Sequence, residues 1–242
     1  MKKQFSVSAL IACAGSGTRM KQLKKKDGTR VNKVFRAIGD VPVVAHTIHA
    51  FEQTACIDDI VLITREADVA ELTQIVKDFG FAKVRSIVVG GDTRQKSVVN
   101  GLAEVQESDI VLIHDGARAL VTPEIITRVY DALCQGGVAG VSAAVKVKDS
   151  IKRADENGIV KESVPREDLW NIQTPQGFFT EDITEFHRRA AQAGAVFTDD
   201  CMAAEFCGAR VQLVEGDYTN IKITTEEDMA YAEFLITKEL TI

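Results

Sequence analysis

Short apolar runs rich in β-branched residues recur at positions 7–13, 60–64, 86–89, 110–113 and 140–145, and segments of helical period stand between them at 43–53, 68–79, 94–105 and 123–134. No other feature narrows the fold so far. Runs that are apolar without alternation need burial on both faces, and the intervening amphipathic segments supply the cover. The pattern predicts an α/β fold with a doubly wound, mainly parallel sheet. Thr122 before Pro123 reads as an N-cap with proline in the first turn, and Thr224 to Glu227 as a capping box opening the last helix. After position 145 the rhythm changes. Segments 150–154 and 158–163, separated by Asp155-Glu156-Asn157, predict a β-hairpin arm over about 148–172, projecting from a single domain of residues 1–242 and suited to a homodimer contact.

The formal net charge of -6 argues against nucleic-acid and acidic-membrane partners, so any anionic ligand must be met by local basic groups. No run has the length of a membrane span, and Met-Lys-Lys-Gln-Phe leads into a strand, so the chain is expected to be cytoplasmic. The five cysteines are scattered and form no C-x-x-C pair, which predicts reduced thiols. His46 and His49 lie one helical turn apart without a third ligand in sequence reach and read as structural.

The first strand opens into Ala12-Cys13-Ala14-Gly15-Ser16-Gly17-Thr18-Arg19. A dinucleotide fingerprint would need a third glycine where Met20 stands, and an acidic residue closing the second strand about twenty residues on, whereas that strand ends at Thr64. A Walker A loop is absent. What remains is a glycine turn with Arg19 and a lysine-rich excursion through Lys24, Lys25 and Lys26. Such a turn can cradle a triphosphate with its N–H groups while basic side chains neutralise charge that develops in phosphoryl transfer. Gly90-Gly91-Asp92-Thr93-Arg94-Gln95-Lys96-Ser97 follows the third strand and His114-Asp115-Gly116-Ala117-Arg118 the fourth. All three segments therefore belong at the carboxyl edge of the sheet, where open α/β sheets bind ligands.

Taken in order, A-G-S-G-T-R-M, G-G-D-T-R-Q-K-S-V, H-D-G-A-R, V-K-D-S-I-K, P-R-E-D-L-W, Q-T-P-Q-G-F, T-D-D and N-I-K-I-T span nearly the whole chain and resemble the 2-C-methyl-D-erythritol 4-phosphate cytidylyltransferases. The resemblance implies a Rossmann-like nucleotidyltransferase. In its reaction a polyol phosphate attacks the α-phosphorus of CTP, giving a CDP-linked product and pyrophosphate, with Mg2+ or another divalent cation on the triphosphate. Carried onto this sequence, it implies that Ala12, Cys13, Ala14, Gly15, Ser16 and Gly17 hold the triphosphate. Arg19 would contact it, and Lys33 and Lys222 would stabilise the transition state. Gly91, Asp92 and Ser97 would read cytosine, with Arg94 supporting their loop. Asp115 and Arg118 would stand on the sugar-phosphate and metal side, and Ser150, Arg166, Thr174 and Thr198 would bind the polyol phosphate, Arg166 acting on the neighbouring subunit's site from the arm.

Bland alternatives stand beside these. Asp92 could cap the helix at Arg94, His114 reads as a hydrogen-bonded strand-end residue rather than a base, and Asp199 and Asp200 could cap a helix or orient Lys222. Around the first lysine, Asn32 and Val34 replace the family's usual Pro and Gln, and Ala119 follows the arginine where proline is expected. A ribitol 5-phosphate cytidylyltransferase and a CTP-binding regulatory subunit without turnover are the competing functions. Joint retention of Arg19, Lys33, Asp115 and Lys222 favours an enzyme.

Overall fold

A computed structural model describes residues 5–15 and 32–239. The elements run β1 (Val7–Ala12), β2 (Ala37–Ile38), β3 (Val41–Pro42), α1 (Val43–Gln53), β4 (Asp59–Thr64), α2 (Val69–Asp78), β5 (Val84–Val89), α3 (Arg94–Leu102), β6 (Ile110–Asp115), α4 (Pro123–Cys134), β7 (Gly140–Lys146), β8 (Ile151–Ala154), β9 (Val160–Val164), β10 (Trp170–Phe179), α5 (Thr180–Gln192), α6 (Cys201–Phe206), β11 (Val211–Glu215) and α7 (Glu226–Glu239). The main sheet has the order β11-β7-β10-β6-β1-β4-β5. Its neighbours pair in parallel except β10, which runs antiparallel to both β6 and β7.

Alternation along the central strands divides the core. Val7, Ala9 and Ile11 of β1 and Ile110 and Leu112 of β6 face one layer with Ile48 and Phe51 of α1 and Ile126 and Val129 of α4. Leu10, Val111 and Ile113 face the other, with Val98 and Leu102 of α3, Ile183 of α5 and Ala204 of α6. Both faces of β1 and β6 are thus sealed, as the unbroken apolar runs require.

Sequence and structure part at several places: β10, α5, α6 and β11 lie beyond the elements the pattern predicts, and the last helix opens differently. The strand β10 was hidden because Pro175 and Gly177 interrupt its pattern, and proline in a run argues against an interior strand. It is accommodated where the β10–β7 register shifts between Ile172 and Gln176, around the cis Thr174–Pro175 bond. The last helix opens one residue later than its expected box. Asp228 accepts from the backbone N–H groups of Thr224 and Thr225, and its own N–H donates to Thr225 Oγ1 at 3.2 Å, so Thr225 and Asp228 form the reciprocal pair. Strands β8 and β9 pair antiparallel, and every β8 residue is exposed.

Helix α3 must lie close to the sheet because it carries the loop after β5. Gly101 allows the approach. A Cβ there would fall within the radius of Leu10 Cδ1 and 2.8 Å from Ile63 Cδ1, both on fully buried side chains. Gly101→Val should lower the free energy of unfolding by about 3 kcal/mol through overpacking, as measured by urea titration.

Candidate active site

Strands β1 and β6 end side by side, with Ala12 opposite Asp115 in the register. From β1 the chain winds outward through β4 and β5 and then returns to the other side of β1 as β6. This is a topological switch point, where carboxyl-end loops diverge and leave a crevice. The crevice is a cavity of about 310 Å³ lined by Ala12, Ala14, Gly15, Lys33, Val34, Gly91, Asp92, Thr93, Arg94, Ser97, Asp115, Ala117 and Lys222. Ten of the expected site residues meet there, brought from segments far apart in the chain. Ser16, Gly17 and Arg19 lie outside the described residues.

The loop after β5 is held by the end of β4 and by the Ser97 hydroxyl. Gly90 N–H donates to Thr64 O at 2.8 Å, Gly91 N–H donates to Ser97 Oγ at 3.1 Å, and Ser97 Oγ donates to Thr93 O at 2.8 Å. A Cβ on Gly91 would stand 2.5 Å from Lys96 Cβ, so a side chain does not fit where the loop folds over the start of α3. Thr93 is the N-cap of α3, accepting from Lys96 N–H at 3.1 Å. Asp92 is therefore not the cap. It is exposed at the cavity rim, paired with Lys96 at 2.9 Å.

Arg94 is held from behind. Its guanidinium donates through two nitrogens to Asp200, at 3.0 and 2.6 Å, and Asp200 is fully buried. Asp200 also meets His187 Nε2 at 3.1 Å, and its N–H donates to Gln176 Oε1 at 2.9 Å. Burial pushes the Asp200 carboxyl up most strongly, but Arg94 and His187 overcome it and hold it below its ordinary value. Asp199 accepts from Met202 N–H at 3.1 Å and so caps α6. The two aspartates thus divide between a cap and a buried arginine partner.

Asp115 performs the orienting. Its Oδ2 stands 2.9 Å from Lys222 Nζ and 3.6 Å from Arg118 Nε. Burial would raise its pKa, yet Lys222, Arg118 and Arg94 together hold the carboxyl well below the usual range. Lys33 also lines the cavity and donates to Ile223 O at 2.7 Å, one residue from Lys222. The segment carrying Lys222 is itself pinned, with Ile223 N–H donating to Ala117 O and Arg118 Nη1 to Asn220 O. Two ammonium groups, from segments far apart in the chain, are thereby brought to one cavity.

The remaining expected residues lie elsewhere. Cys13 is buried behind the cavity wall, where burial and then Asp115 push its thiol up to about 12. Arg118 and Thr174 are buried behind Asp115. The Thr174 hydroxyl accepts from Asp115 N–H at 3.1 Å and lies 2.9 Å from His114 Nδ1. Ser150, Arg166 and Thr198 are exposed and do not line the cavity; Arg166 Nη1 donates to Lys148 O. His114 is fully buried and burial lowers its pKa to about 3, so it stays neutral, as its strand-end reading requires. Gln176 and Asn32 went unassigned in the sequence, although Q-T-P-Q-G-F and the unusual residue before Lys33 both mark them.

A family model described as "IspD: 2-C-methyl-D-erythritol 4-phosphate cytidylyltransferase" matches residues 7–238. The chain is 42% identical over 231 residues to the 2-C-methyl-D-erythritol 4-phosphate cytidylyltransferase of Geotalea uraniireducens, covering 94% of this chain and 95% of that one. It is 42% identical over 236 residues to the enzyme of the same name from Caldanaerobacter subterraneus subsp. tengcongensis, covering 97% and 100%. The crystal structure of 4-diphosphocytidyl-2C-methyl-D-erythritol synthase from Anaerococcus prevotii superposes with a TM-score of 0.80 at 31% identity, covering 96% of each chain.

His114 also has a consequence for stability. An unfolded histidine protonates near 6.5, while the folded one resists protonation until about 3. The folded state therefore binds fewer protons in that window, so stability falls as pH is lowered from 6.5, by up to about 1.4 kcal/mol per pH unit from this group. Urea titrations of His114→Gln between pH 6.5 and 4 should show a slope shallower than wild type by about that amount.

Proposed function

The chain belongs to the 2-C-methyl-D-erythritol 4-phosphate cytidylyltransferase family, and from that premise we propose that its cavity binds CTP and transfers the cytidylyl group to 2-C-methyl-D-erythritol 4-phosphate, releasing pyrophosphate. The observation that carries this reading is the convergence of Lys33 and Lys222 beside the ends of β1 and β6. The polyol's phosphate oxygen attacks the α-phosphorus, and the pyrophosphate leaves in line. A phosphate nucleophile is already ionised, so no general base is required, in keeping with the buried and neutral His114. The chain supplies position and positive charge.

In this reading the N–H groups of the Ala12–Gly15 turn approach the phosphates, with Ser16, Gly17 and Arg19 completing the cradle. The fixed backbone of the Gly91 loop offers carbonyls to the cytosine amine. Lys33 and Lys222 neutralise the charge that grows on the equatorial oxygens, a contribution larger in the transition state than in bound CTP. Asp115 keeps the Lys222 ammonium directed at that point, and Arg118 and Thr174 keep Asp115 in place.

Among the described residues no group of three His, Cys, Asp or Glu side chains is placed to hold a metal. The carboxylates lining the cavity are Asp92 and Asp115. This suits Mg2+, which binds through one or two carboxylates with phosphate oxygens and water completing its octahedron. Asp115 would supply the protein's share, and the ion, when bound, adds positive charge to the triphosphate.

The polyol phosphate needs cations beyond the cavity. Arg166, Ser150 and Thr198 are exposed away from it, and the hairpin carries exposed Ile151, Ile159 and Val160. Both facts support a homodimer in which the β8–β9 arm covers apolar surface on a second copy and brings Arg166 to that copy's site.

Lys33→Ala should leave the CTP dissociation constant within about threefold while lowering kcat on the order of a hundredfold, about 3 kcal/mol, in a pyrophosphate-release assay. Near-normal turnover would remove Lys33 from the mechanism. The same assay should prefer CTP over UTP and ATP and stop with EDTA. For the arm, Arg166→Ala and Lys222→Ala subunits, each inactive alone, should regain about a quarter of wild-type sites after exchange. No recovery despite verified exchange would confine Arg166 to its own subunit.

A further inference from the structure

Asn32 is only 1% exposed, and all of its side-chain polar groups are engaged. Its Nδ2 donates to Cys13 O at 2.7 Å and to Asp68 Oδ2 at 3.1 Å, while its Oδ1 accepts from Val34 N–H at 3.4 Å. Asp68 is equally buried and receives Arg65 Nε at 2.5 Å. Cys13 is fixed in turn, its N–H donating to Ile63 O at 2.7 Å. One amide therefore joins the exit of β1, the turn after β4 and the short 3-10 turn Lys33–Phe35, of which Asn32 is the N-cap.

From this geometry we propose that Asn32, backed by Asp68, is a positioning residue that sets the place of Lys33 relative to the ends of β1 and β4. The inference rests on the reading of Lys33 given above. Nineteen positions separate Cys13 from Asn32 along the chain, yet the two touch. The placement of Lys33 is thus tied to the end of β1 by a side-chain bond. This explains how the lysine-rich excursion can precede Lys33 while Lys33 keeps its bond to Ile223 O.

The task calls for an amide. Two donors meet two acceptors, Cys13 O and Asp68, while one acceptor meets a backbone donor. Alanine removes the side-chain partner of Cys13 O and of Val34 N–H and takes one donor from Asp68. Aspartate sets a second carboxylate against Asp68, and like charges at that separation cannot both remain ionised. Among the described residues, the charged and titratable groups near position 32 include Asp68, Arg65, Lys33, the Cys13 thiol, which stays protonated, and beyond it Asp115, whose carboxyl is held well below the usual range. A new acidic titration there is therefore attributable to the carboxyl pair.

The test measures kcat, KM and the CTP dissociation constant for Asn32→Ala, Asn32→Asp, the double variant Asn32→Asp/Asp68→Asn, and Lys33→Ala. Asn32→Ala should cut kcat by roughly 10- to 100-fold with CTP binding held within about threefold, since a displacement near 1 Å is sufficient for such a loss. Asn32→Asp should show kcat rising as pH falls from 8 to 6, which wild type does not, because a shared proton relieves the repulsion. The double variant, which restores the donor–acceptor pair between positions 32 and 68 but leaves Cys13 O without its donor, should recover about fivefold over Asn32→Asp without reaching wild type and lose that pH dependence. If Asn32→Ala does not fold, the isosteric variants carry the test. A folded Asn32→Ala with wild-type kcat overturns the inference, as does an Asn32→Asp enzyme with neither pH dependence nor rescue. If Lys33→Ala lowers turnover while the Asn32 variants do not, the positioning inference falls alone; if Lys33→Ala is harmless, the reading of Lys33 falls with it.

Discussion

Asp115 is the carboxylate on which the arrangement depends. It closes β6 opposite Ala12, so it is fixed by the central pair of strands, and its side chain holds Lys222 while standing beside Arg118. A buried carboxylate of this kind is costly to desolvate and persists only with close cations and satisfied hydrogen bonds. Here Lys222 and Arg118 supply the charge. The return is geometric, because a lysine on a loop near the C-terminal helix acquires a position defined by the sheet. The Arg36–Glu226 pair at 2.6 Å and the shared apolar cluster of Ile38, Ile223 and Met229 bind the same loop to the Lys33 segment.

A second buried ion pair, Arg94 with Asp200, performs the corresponding task on the other wall. Each pair connects a cavity cation to a buried anion on a different element, and each anion is itself located by backbone contacts, Asp115 through Thr174 and Asp200 through Gln176. Both supports come from β10. The antiparallel strand inserted between the two parallel blocks thus braces the site from below without lining it.

The sequence made the parallel half of the sheet legible because β1, β4 and β6 are apolar on both faces and their glycine-bearing exits follow directly. It made β10 illegible because Pro175 and Gly177 are placed for a register shift, and local pattern does not reveal a shift that exists only against β7. The cavity residues were readable wherever a strand end dictated them, as with Asp115 and Gly91. Asp200 and Asn32 were harder. Their importance lies in partners 106 and 36 positions away, and no local signal carries such a pairing. Lys222 was placed by resemblance alone, and its contact with Asp115 supplies the physical reason.

The position of β10 bears on the order in which the chain can assemble during synthesis. By the time β6 has emerged, β5, β4, β1 and β6 can join as a four-stranded parallel block with helices on both faces. Strand β7 follows soon after but has no partner in that block. It waits for β10, about thirty residues later, and then for β11. Until then one edge of β6 offers fully buried-type residues, Ile110 to Ile113, to the surroundings. Such an exposed apolar edge is where nascent chains associate wrongly, so the interval between β6 and β10 is the stretch of synthesis in which the growing sheet is most open to mispairing.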